Sequence, residues 1–419
     1  MFDQMTLPGG LRVVGEKLTH VRSCTVGCWV KAGSMNERPE ENGLSHFIEH
    51  MVFKGTQTRS ARDIAEEMDE VGGQLNAFTS KDCTCYYAKV IDENLPLAAD
   101  ILGDLALRPR FDDAELQKER GVVLEEIAMV EDTPEDLVGD VLCEAQFEGS
   151  LRRPILGSAE QIRRYTREDL LRYWRRHYHP KNTVVAIAGN YDWEMFLALV
   201  ERHFAGFPAE EPTAAPAEEQ RLLDGRRARE KDTEQVQISM GYPGVELGSD
   251  DLYALSVFNN LLGGGMSSRL FQRIREELGM AYSIYSFPAS YPGCGTFNIY
   301  AGTSPENAET VIREIQLEME KMLREGPNEK EFRSAKAQLK GGYVLGLESS
   351  SGRMQSIGRS ALLLDRLTTP EETLSKIEAV TLGDVLSIAR RALAASPSAA
   401  IVGKNAIRYL EMIGGGPRG

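Results

Sequence analysis

Two histidines and a glutamate on one predicted helix are the residues best suited to chemistry in this sequence. His46, Glu49 and His50 lie within residues 43–51 in the pattern H-x-x-E-H. Residues four apart on a helix lie one above the other, about 6 Å apart along its axis, so both imidazoles can bind one zinc ion. Glu49 is then placed to take a proton from a water molecule activated by that metal. The spacing predicts a metal-dependent hydrolytic centre, although so short a pattern also occurs by chance.

A catalytic zinc ion needs a third protein ligand, and carboxylates are better candidates than the remaining histidines. Glu119 and Glu126 lie seven residues apart on a second predicted helix, and therefore on one face, whereas Glu125 is rotated by about 100°. The same face carries Val122 and Val123, as expected of a helix turned towards a metal site inside a core. On these residues alone, a solvated acidic face is the competing interpretation.

The elements that must position these residues occur twice along the chain. The segment 208–226 is rich in Pro, Ala and Glu, lacks apolar periodicity and is predicted to be a linker. On each side of it the predicted order is a strand, two helices, two strands, two helices and a later strand. These elements are predicted at 22–32, 43–54, 60–71, 74–80, 83–91, 93–107, 112–131 and 182–189, and at 234–242, 249–262, 266–278, 281–288, 294–302, 305–324, 328–348 and 398–403.

The shared order indicates a duplication. We therefore predict an α+β fold of two homologous domains, 1–207 and 227–419, each a mainly antiparallel sheet packed with helices. The segments 44–47 (LSHF) and 255–258 (LSVF) align without a gap. In this register the three metal-site positions of the first half are occupied in the second half by Val257, Asn260 and Leu261. Only the first half can then be catalytic.

The composition predicts a soluble globular protein rather than a membrane or nucleic-acid-binding one. The net charge is −15, which argues against nucleic acid as a partner. No apolar run approaches the roughly 18 residues that span a bilayer, and the N-terminus lacks the pattern of a signal peptide. The 6 cysteines contain no C-x-x-C pair and are expected to be reduced and buried. These features predict a cytoplasmic protein.

A longer motif carries a family resemblance. The stretch GLSHFIEHMVFKGT, with Glu126 lying 76 positions beyond His50, resembles the pitrilysin/insulinase-type zinc metallopeptidases. It is most similar to the mitochondrial processing peptidase branch and its short bacterial relatives. The resemblance implies one zinc ion per chain, held by His46, His50 and Glu126. It also implies that Glu49 is the catalytic base and that Glu119 supports the site.

Two further segments match the same family. Residues 74–79 (QLNAFT) resemble its substrate-binding edge strand, which implies that Asn76 and Ala77 contact the peptide. Arg275 and Tyr282 match a pair that binds substrate and stabilises the oxyanion from the metal-free half. The glycine-rich stretch 261–269 resembles a loop of the mitochondrial enzyme's non-catalytic subunit. Without the resemblance, a merely structural strand and a helix-surface ion pair are the competing interpretations.

The resemblance implies a zinc endopeptidase that hydrolyses short or unfolded peptides. The large single-chain members enclose a chamber with four such domains, and two domains cannot close it. A homodimer is therefore expected, with peptides as the substrates. The alternative is a subunit of a processing-peptidase-like complex that is non-catalytic or depends on a different partner chain.

Overall fold

The computed structural model describes residues 2–207 and 218–413, so most of the predicted linker, 208–217, lies outside the described residues. The described chain forms two compact units, each built from three segments. Unit 1 contains the described residues of Met1–Ile127, Pro154–Ala217 and Val344–Thr369. Unit 2 contains those of Ala128–Arg153, Glu218–Tyr343 and Pro370–Gly419.

The predicted elements of each half occur in the predicted order, and further strands and helices lie before, between and after them. The strands are β1 (Phe2–Thr6), β2 (Arg12–Lys17), β3 (Ser23–Val30), β4 (Gln74–Thr79), β5 (Thr84–Ile91), β6 (Phe147–Glu148), β7 (Thr183–Gly189), β8 (Arg221–Leu222), β9 (Arg226–Glu230), β10 (Val236–Pro243), β11 (Ala281–Tyr291), β12 (Cys294–Thr303) and β13 (Ser398–Gly403). The helices are α1 (Leu44–Val52), α2 (Ala61–Glu70), α3 (Leu95–Leu107), α4 (Asp113–Asp132), α5 (Pro134–Gln146), α6 (Ala159–Arg164), α7 (Arg167–His177), α8 (Trp193–His203), α9 (Leu252–Leu262), α10 (Ala308–Glu325), α11 (Glu329–Gly346), α12 (Ser350–Leu364), α13 (Pro370–Ala379), α14 (Leu382–Leu393) and α15 (Ala406–Met412).

Unit 1 is organised around a sheet with the strand order β1-β2-β7-β3-β5-β4. Its strand pairs are antiparallel except β2 and β7, which run parallel. Strand β4 lies at the edge and pairs only with β5, with Asn76 opposite Tyr87 and Ala77 opposite Tyr86. The core on one face includes α1 and α3. The predicted edge position of residues 74–79 is therefore confirmed.

Unit 2 repeats this topology. Its sheet has the order β11-β12-β10-β13-β9, and β13 and β9 form its parallel pair. Read from the edge, these strands match β4-β5-β3-β7-β2 of unit 1, one for one and in chain order. The duplicated α+β plan with mainly antiparallel sheets is thus confirmed. Within the described chain, β1 is the strand of the first sheet that has no counterpart in the second.

Each sheet also packs against a helix from the opposite half of the sequence. Helix α12 covers β2, β3 and β7, where a Cβ on Gly358 would lie 2.2 Å from Trp29 Nε1. Its counterpart α5 covers β9, β10 and β13, through an apolar face that includes Leu137 and Val141. The compact units therefore exchange one helix each across the boundary predicted from the sequence. Both faces of each sheet are apolar. The helices from the same half of the sequence cover one face, and the exchanged helix covers the other.

The predicted helix at 266–278 differs most from its expectation. The structure has a shorter π-helix, Phe271–Glu277, after a break at the glycines that follow α9. Gly263 is required there, because a Cβ would lie 2.5 Å from the backbone nitrogen of Ser286. Helix α9 can therefore pass close to β11 only at a residue without a side chain.

The cysteines behave as predicted. None of the six forms a disulfide bond, and all except Cys143 are buried. Burial raises the pKa of the Cys24 and Cys28 thiols to about 12, so they stay protonated and unreactive near neutral pH. Among the residues that the structure describes, no helix has both the length and the apolar character needed to cross a bilayer.

Candidate active site

Helix α1 is fixed by a buried carboxylate at its N-terminus. Glu37 accepts hydrogen bonds from the backbone nitrogens of Gly43 at 2.9 Å and Ser45 at 2.8 Å. These contacts satisfy N–H groups that no helical carbonyl can reach, and they place a carboxylate at the positive end of the helix dipole. Burial raises the pKa of Glu37. Phe47 and Met51 anchor the opposite face of the helix in the core.

Three ligand atoms converge beside α1. His46 Nε2 lies 3.3 Å from His50 Nε2, and Glu126 Oε2 lies 3.6 Å and 3.4 Å from these two nitrogens. Atoms bound 2.0–2.1 Å from a tetrahedral zinc ion are about 3.3–3.4 Å apart. The three residues form the group of potential metal ligands found among the described residues. Their spacing and their chemistry fit a zinc ion with one position left open.

The histidines are held in the state that a metal requires. Burial, followed by the neighbouring His50, lowers the pKa of His46 to about 3, so His46 is neutral near pH 7. His50 Nδ1 lies 2.9 Å from Glu119 Oε1, and the other oxygen of Glu119 lies 2.7 Å from Lys54 Nζ. An Nδ1–H donated to Glu119 leaves the lone pair of His50 Nε2 directed towards Glu126. Glu119 thus contacts His50, a ligand of the site that the resemblance predicts it to support.

Glu49 lies on the same helix, between the two histidines in sequence. The hydroxyl of Thr79 donates a hydrogen bond of 2.5 Å to Glu49 Oε2. Burial raises the pKa of Glu49, and this hydrogen bond offsets part of the rise. Among the hydrogen bonds of the described chain, none engages Oε1. A half-buried carboxylate with one oxygen held and the other uncommitted can accept a proton beside the metal site.

The edge strand β4 presents backbone groups next to this site. Asn76 is exposed and Ala77 is half-buried. The N–H of Ala77 donates to the Asn76 side chain at 2.8 Å, so it points away from β5 towards the unpaired edge. An extended peptide can pair with such an edge through main-chain hydrogen bonds.

Arg275 and Tyr282 lie together in unit 2. The Arg275 guanidinium carbon is 4.8 Å from the centroid of the Tyr282 ring and 4.8 Å from that of Phe271. Tyr282, on β11, is 76% exposed. The ion pairs of this helix belong to Arg273, which contacts Glu277 and Glu314, and none in the described part of the chain involves Arg275. The interpretation of Arg275 as an ion-pair residue therefore finds no support.

The second unit carries no metal ligands at the equivalent helix. Val257 and Leu261 are buried in the apolar core, and Asn260 donates a 3.2 Å hydrogen bond to the carbonyl of Ala335. When α4 and α11 are aligned from their first residues, Glu119 falls on Ala335 and Glu126 on Gly342. Both helices have therefore lost their polar site residues together.

Three residues of the site escaped the reasoning from sequence. Glu37, Lys54 and Thr79 each contact a site residue or its helix, across 6 to 65 positions of chain. Lys54 and Thr79 stand inside the two motifs that carried the resemblance. Their place within these motifs was the one indication in the sequence of a role at the site. Their contacts depend on the tertiary structure.

Comparisons with known proteins cover almost the whole chain. The family described as insulinase (peptidase family M16) matches residues 12–159, and the peptidase M16 inactive domain matches residues 164–339. The uncharacterized zinc protease YmxG of Bacillus subtilis is 42% identical over 93% of this chain and 95% of its own length. The uncharacterized zinc protease Rv2782c of Mycobacterium tuberculosis is 44% identical over 95% of this chain and 92% of its own.

Two solved structures share the fold. A protease from Helicobacter pylori superposes with a TM-score of 0.91 at 22% identity, covering 96% of this chain and 99% of that one. A peptidase M16 inactive domain from Pseudomonas fluorescens gives a TM-score of 0.90 at 19% identity, with coverage of 97% and 98%. At these identities the likeness concerns the fold.

Proposed function

Since the chain belongs to the insulinase family of peptidases, family M16, and is a zinc peptidase, we propose that it is an endopeptidase of short or unfolded peptides. The observation that carries this proposal is the spacing of His46, His50 and Glu126, which suits one tetrahedral zinc ion per chain. Glu49, half-buried on the same helix, supplies the carboxylate that hydrolysis requires.

The chemistry divides between the metal and the chain. The two histidines and Glu126 would hold a zinc ion, which would lower the pKa of a bound water molecule and polarise the scissile carbonyl. Glu49 Oε1 takes the proton of the attacking water and returns it to the leaving amine. Glu119 keeps the His50 imidazole in the tautomer that ligates through Nε2. The raised pKa of Glu49 suits a residue that must both accept and release a proton.

Substrate alignment is assigned to β4 and to unit 2. The edge-facing N–H of Ala77, which donates to the Asn76 side chain in this structure, is proposed to pair instead with the peptide backbone near the scissile bond. Arg275 is proposed to hold a substrate carbonyl, and Tyr282 to donate to the oxyanion. The exposure of Tyr282 and its packing against Arg275 support this pairing of roles.

We further propose that two copies of the chain enclose the substrate chamber, and that the protein acts in the cytoplasm. A homodimer is favoured because each chain carries both the metal-site motif and the Arg275–Tyr282 pair. The non-catalytic alternative is disfavoured by the complete set of His46, Glu49, His50 and Glu126, since a subunit without activity has no need of all four.

The decisive experiment measures cleavage of a quenched fluorescent peptide by the purified protein and its Glu49→Gln variant. We expect the wild type to cleave without a partner chain, to lose activity to a chelator and to regain it with zinc. Glu49→Gln should retain stoichiometric zinc but lose about 10²- to 10⁴-fold in kcat, because the base is gone while the ligands remain.

Glu125→Gln is the matched control. Glu125 is exposed on α4, and its substitution by Gln removes the same charge as Glu49→Gln. Its kcat should equal that of the wild type. Chelator-resistant cleavage, or near-normal turnover by Glu49→Gln, would exclude this mechanism. Activity that requires addition of a different chain would replace the homodimer with a heteromeric enzyme.

A further inference from the structure

We infer that Thr79 is a positioning residue: its hydroxyl holds Glu49 so that Oε1 receives the proton, and it links the substrate-binding edge strand to the base. This inference rests on the proposed function, because it assigns Glu49 as the base. It adds a residue of β4 whose side chain acts on catalysis without touching the substrate.

The geometry places this hydroxyl between strand and helix. Thr79 is the last residue of β4, and its Oγ1 lies 2.5 Å from Glu49 Oε2 on α1. The same oxygen lies 3.2 Å from the hydroxyl of Thr84, which is directly opposite on β5. Glu49 therefore receives its hydrogen bond from a residue fixed within the sheet.

Proton counting shows which way these hydroxyls donate. Thr84 Oγ1 lies 2.7 Å from the carbonyl oxygen of Ala32, which can only accept, so its one proton is committed there. An ionised Glu49 also can only accept, so the one proton of Thr79 is committed to Oε2. The contact between the two hydroxyls then has no proton to share. Thr79 is a donor to the base, and Thr84 supports the sheet.

The backbone of Thr79 belongs to the edge that would bind a peptide. N–H groups two residues apart on a strand point to the same side. The N–H of Ala77 faces the free edge, and the adjacent pair Ser80 and Cys83 is hydrogen-bonded across the hairpin. Both observations place the N–H of Thr79 on the free edge, in line with that of Ala77.

Its side chain belongs to the face that carries α1. Leu75 and Ala77 pack against the core that includes α1, and side chains at alternate positions of a strand share a face. Thr79 follows in the same alternation. Thr79 would therefore do two things: its backbone N–H would pair with a peptide along β4, and its hydroxyl orients Glu49.

Loss of the Thr79 hydroxyl would leave the half-buried Glu49 carboxylate without this hydrogen bond. Among the described residues, Thr79 donates the hydrogen bond that Glu49 accepts. Without this restraint the carboxylate can rotate, and its oxygens no longer hold the positions that proton transfer requires. A misplacement of about 1 Å is enough to cost 10²-fold in rate.

The test compares Thr79→Val, which removes the hydroxyl at nearly constant shape, with Thr79→Ser, which retains it. We expect Thr79→Val to lower kcat about 10- to 100-fold with KM and bound zinc unchanged. Thr79→Ser should restore kcat to within about threefold. If the valine variant does not fold, Thr79→Ala serves the same comparison. Thermal unfolding and zinc content are measured for every variant.

Thr84→Val is the structural control. It removes a buried hydroxyl from the same cross-strand pair but leaves the bond from Thr79 to Glu49 in place. An unchanged kcat in Thr79→Val, or an equal fall in Thr84→Val, would overturn the inference. Failure of the proposed function is distinguishable, because Glu49→Gln itself would then remain active in the same assay.

Discussion

The two units share one topology but differ at every position that chemistry needs. In unit 1, α1 carries His46, Glu49 and His50 against the glutamates of α4. In unit 2 the equivalent helix α9 presents Val257 and Leu261 to an apolar core. The strand order around both helices is the same. The fold therefore positions two helices in each unit, and the side chains alone decide whether a metal site results.

The comparison also shows that a metal site places polar side chains in or beside the core, where each needs a partner. His46 is half-buried, and its neutral state is enforced by burial, whereas Val257 needs no such compensation. Glu119 is only 4% exposed and contacts His50 and Lys54, where α11 has Ala335. Unit 1 thus retains buried polar groups that each require a partner, and unit 2 has replaced them with apolar contacts.

The largest effect is expected when unit 1 is made to resemble unit 2. The triple substitution His46→Val, Glu49→Asn and His50→Leu copies α9 onto α1. We expect complete loss of bound zinc and of peptidase activity, measured by metal analysis and by the fluorescent assay. The metal-free variant should unfold at about the temperature of the metal-free wild type, because two polar side chains leave a partly buried cluster and Glu119 keeps Lys54.

The effect of zinc on thermal stability distinguishes the wild type from the triple variant. The wild type should gain thermal stability on addition of zinc, since a ligand that binds only the folded state stabilises it, and the triple variant should not. A variant that still binds one zinc ion at wild-type affinity would show that the metal site lies elsewhere.

A smaller effect should show what unit 2 contributes in place of a metal. If Tyr282 donates to the oxyanion, Tyr282→Phe should lower kcat/KM by about 10²- to 10³-fold while zinc content stays unchanged. Tyr285→Phe is the control, because Tyr285 is also exposed on β11 and lies three residues further along. Equal activities for the two variants would contradict the proposed role of Tyr282 at the oxyanion.

The sequence predicts the local part of this arrangement and not the tertiary part. The spacing of His46 and His50 is set by helical periodicity, so their convergence follows from the pattern alone. Glu126 needed a family resemblance, because its helix could equally have faced solvent. The contacts of Thr79 with Glu49 and of Lys54 with Glu119 span 30 and 65 positions, and periodicity says nothing about such pairs.

The exchanged helices show the same limit at the level of the fold. The sequence order of the strands was enough to predict two copies of one domain, and both sheets confirm it. An apolar face on α5 or α12 predicts that the helix is buried, but it does not say against which sheet. Gly358 leaves room for the side chain of Trp29, but this reason for a glycine can be seen only once the packing of α12 is known.

The smallest effect concerns the support of one ligand. Glu119 accepts from His50 Nδ1 and contacts Lys54, so Glu119→Gln keeps the shape but turns an amide N–H₂ towards one of these donors. We expect zinc affinity to fall about 10- to 100-fold, measured by competition with a chelator, with kcat at saturating zinc little changed. Glu125→Gln again controls for the lost charge, since Glu125 is exposed and is not one of the three potential metal ligands. Equal zinc affinities in the two variants would contradict the supporting role. A carboxylate at position 119 would then be unnecessary for zinc binding in unit 1, just as unit 2 has only Ala335 at the equivalent position.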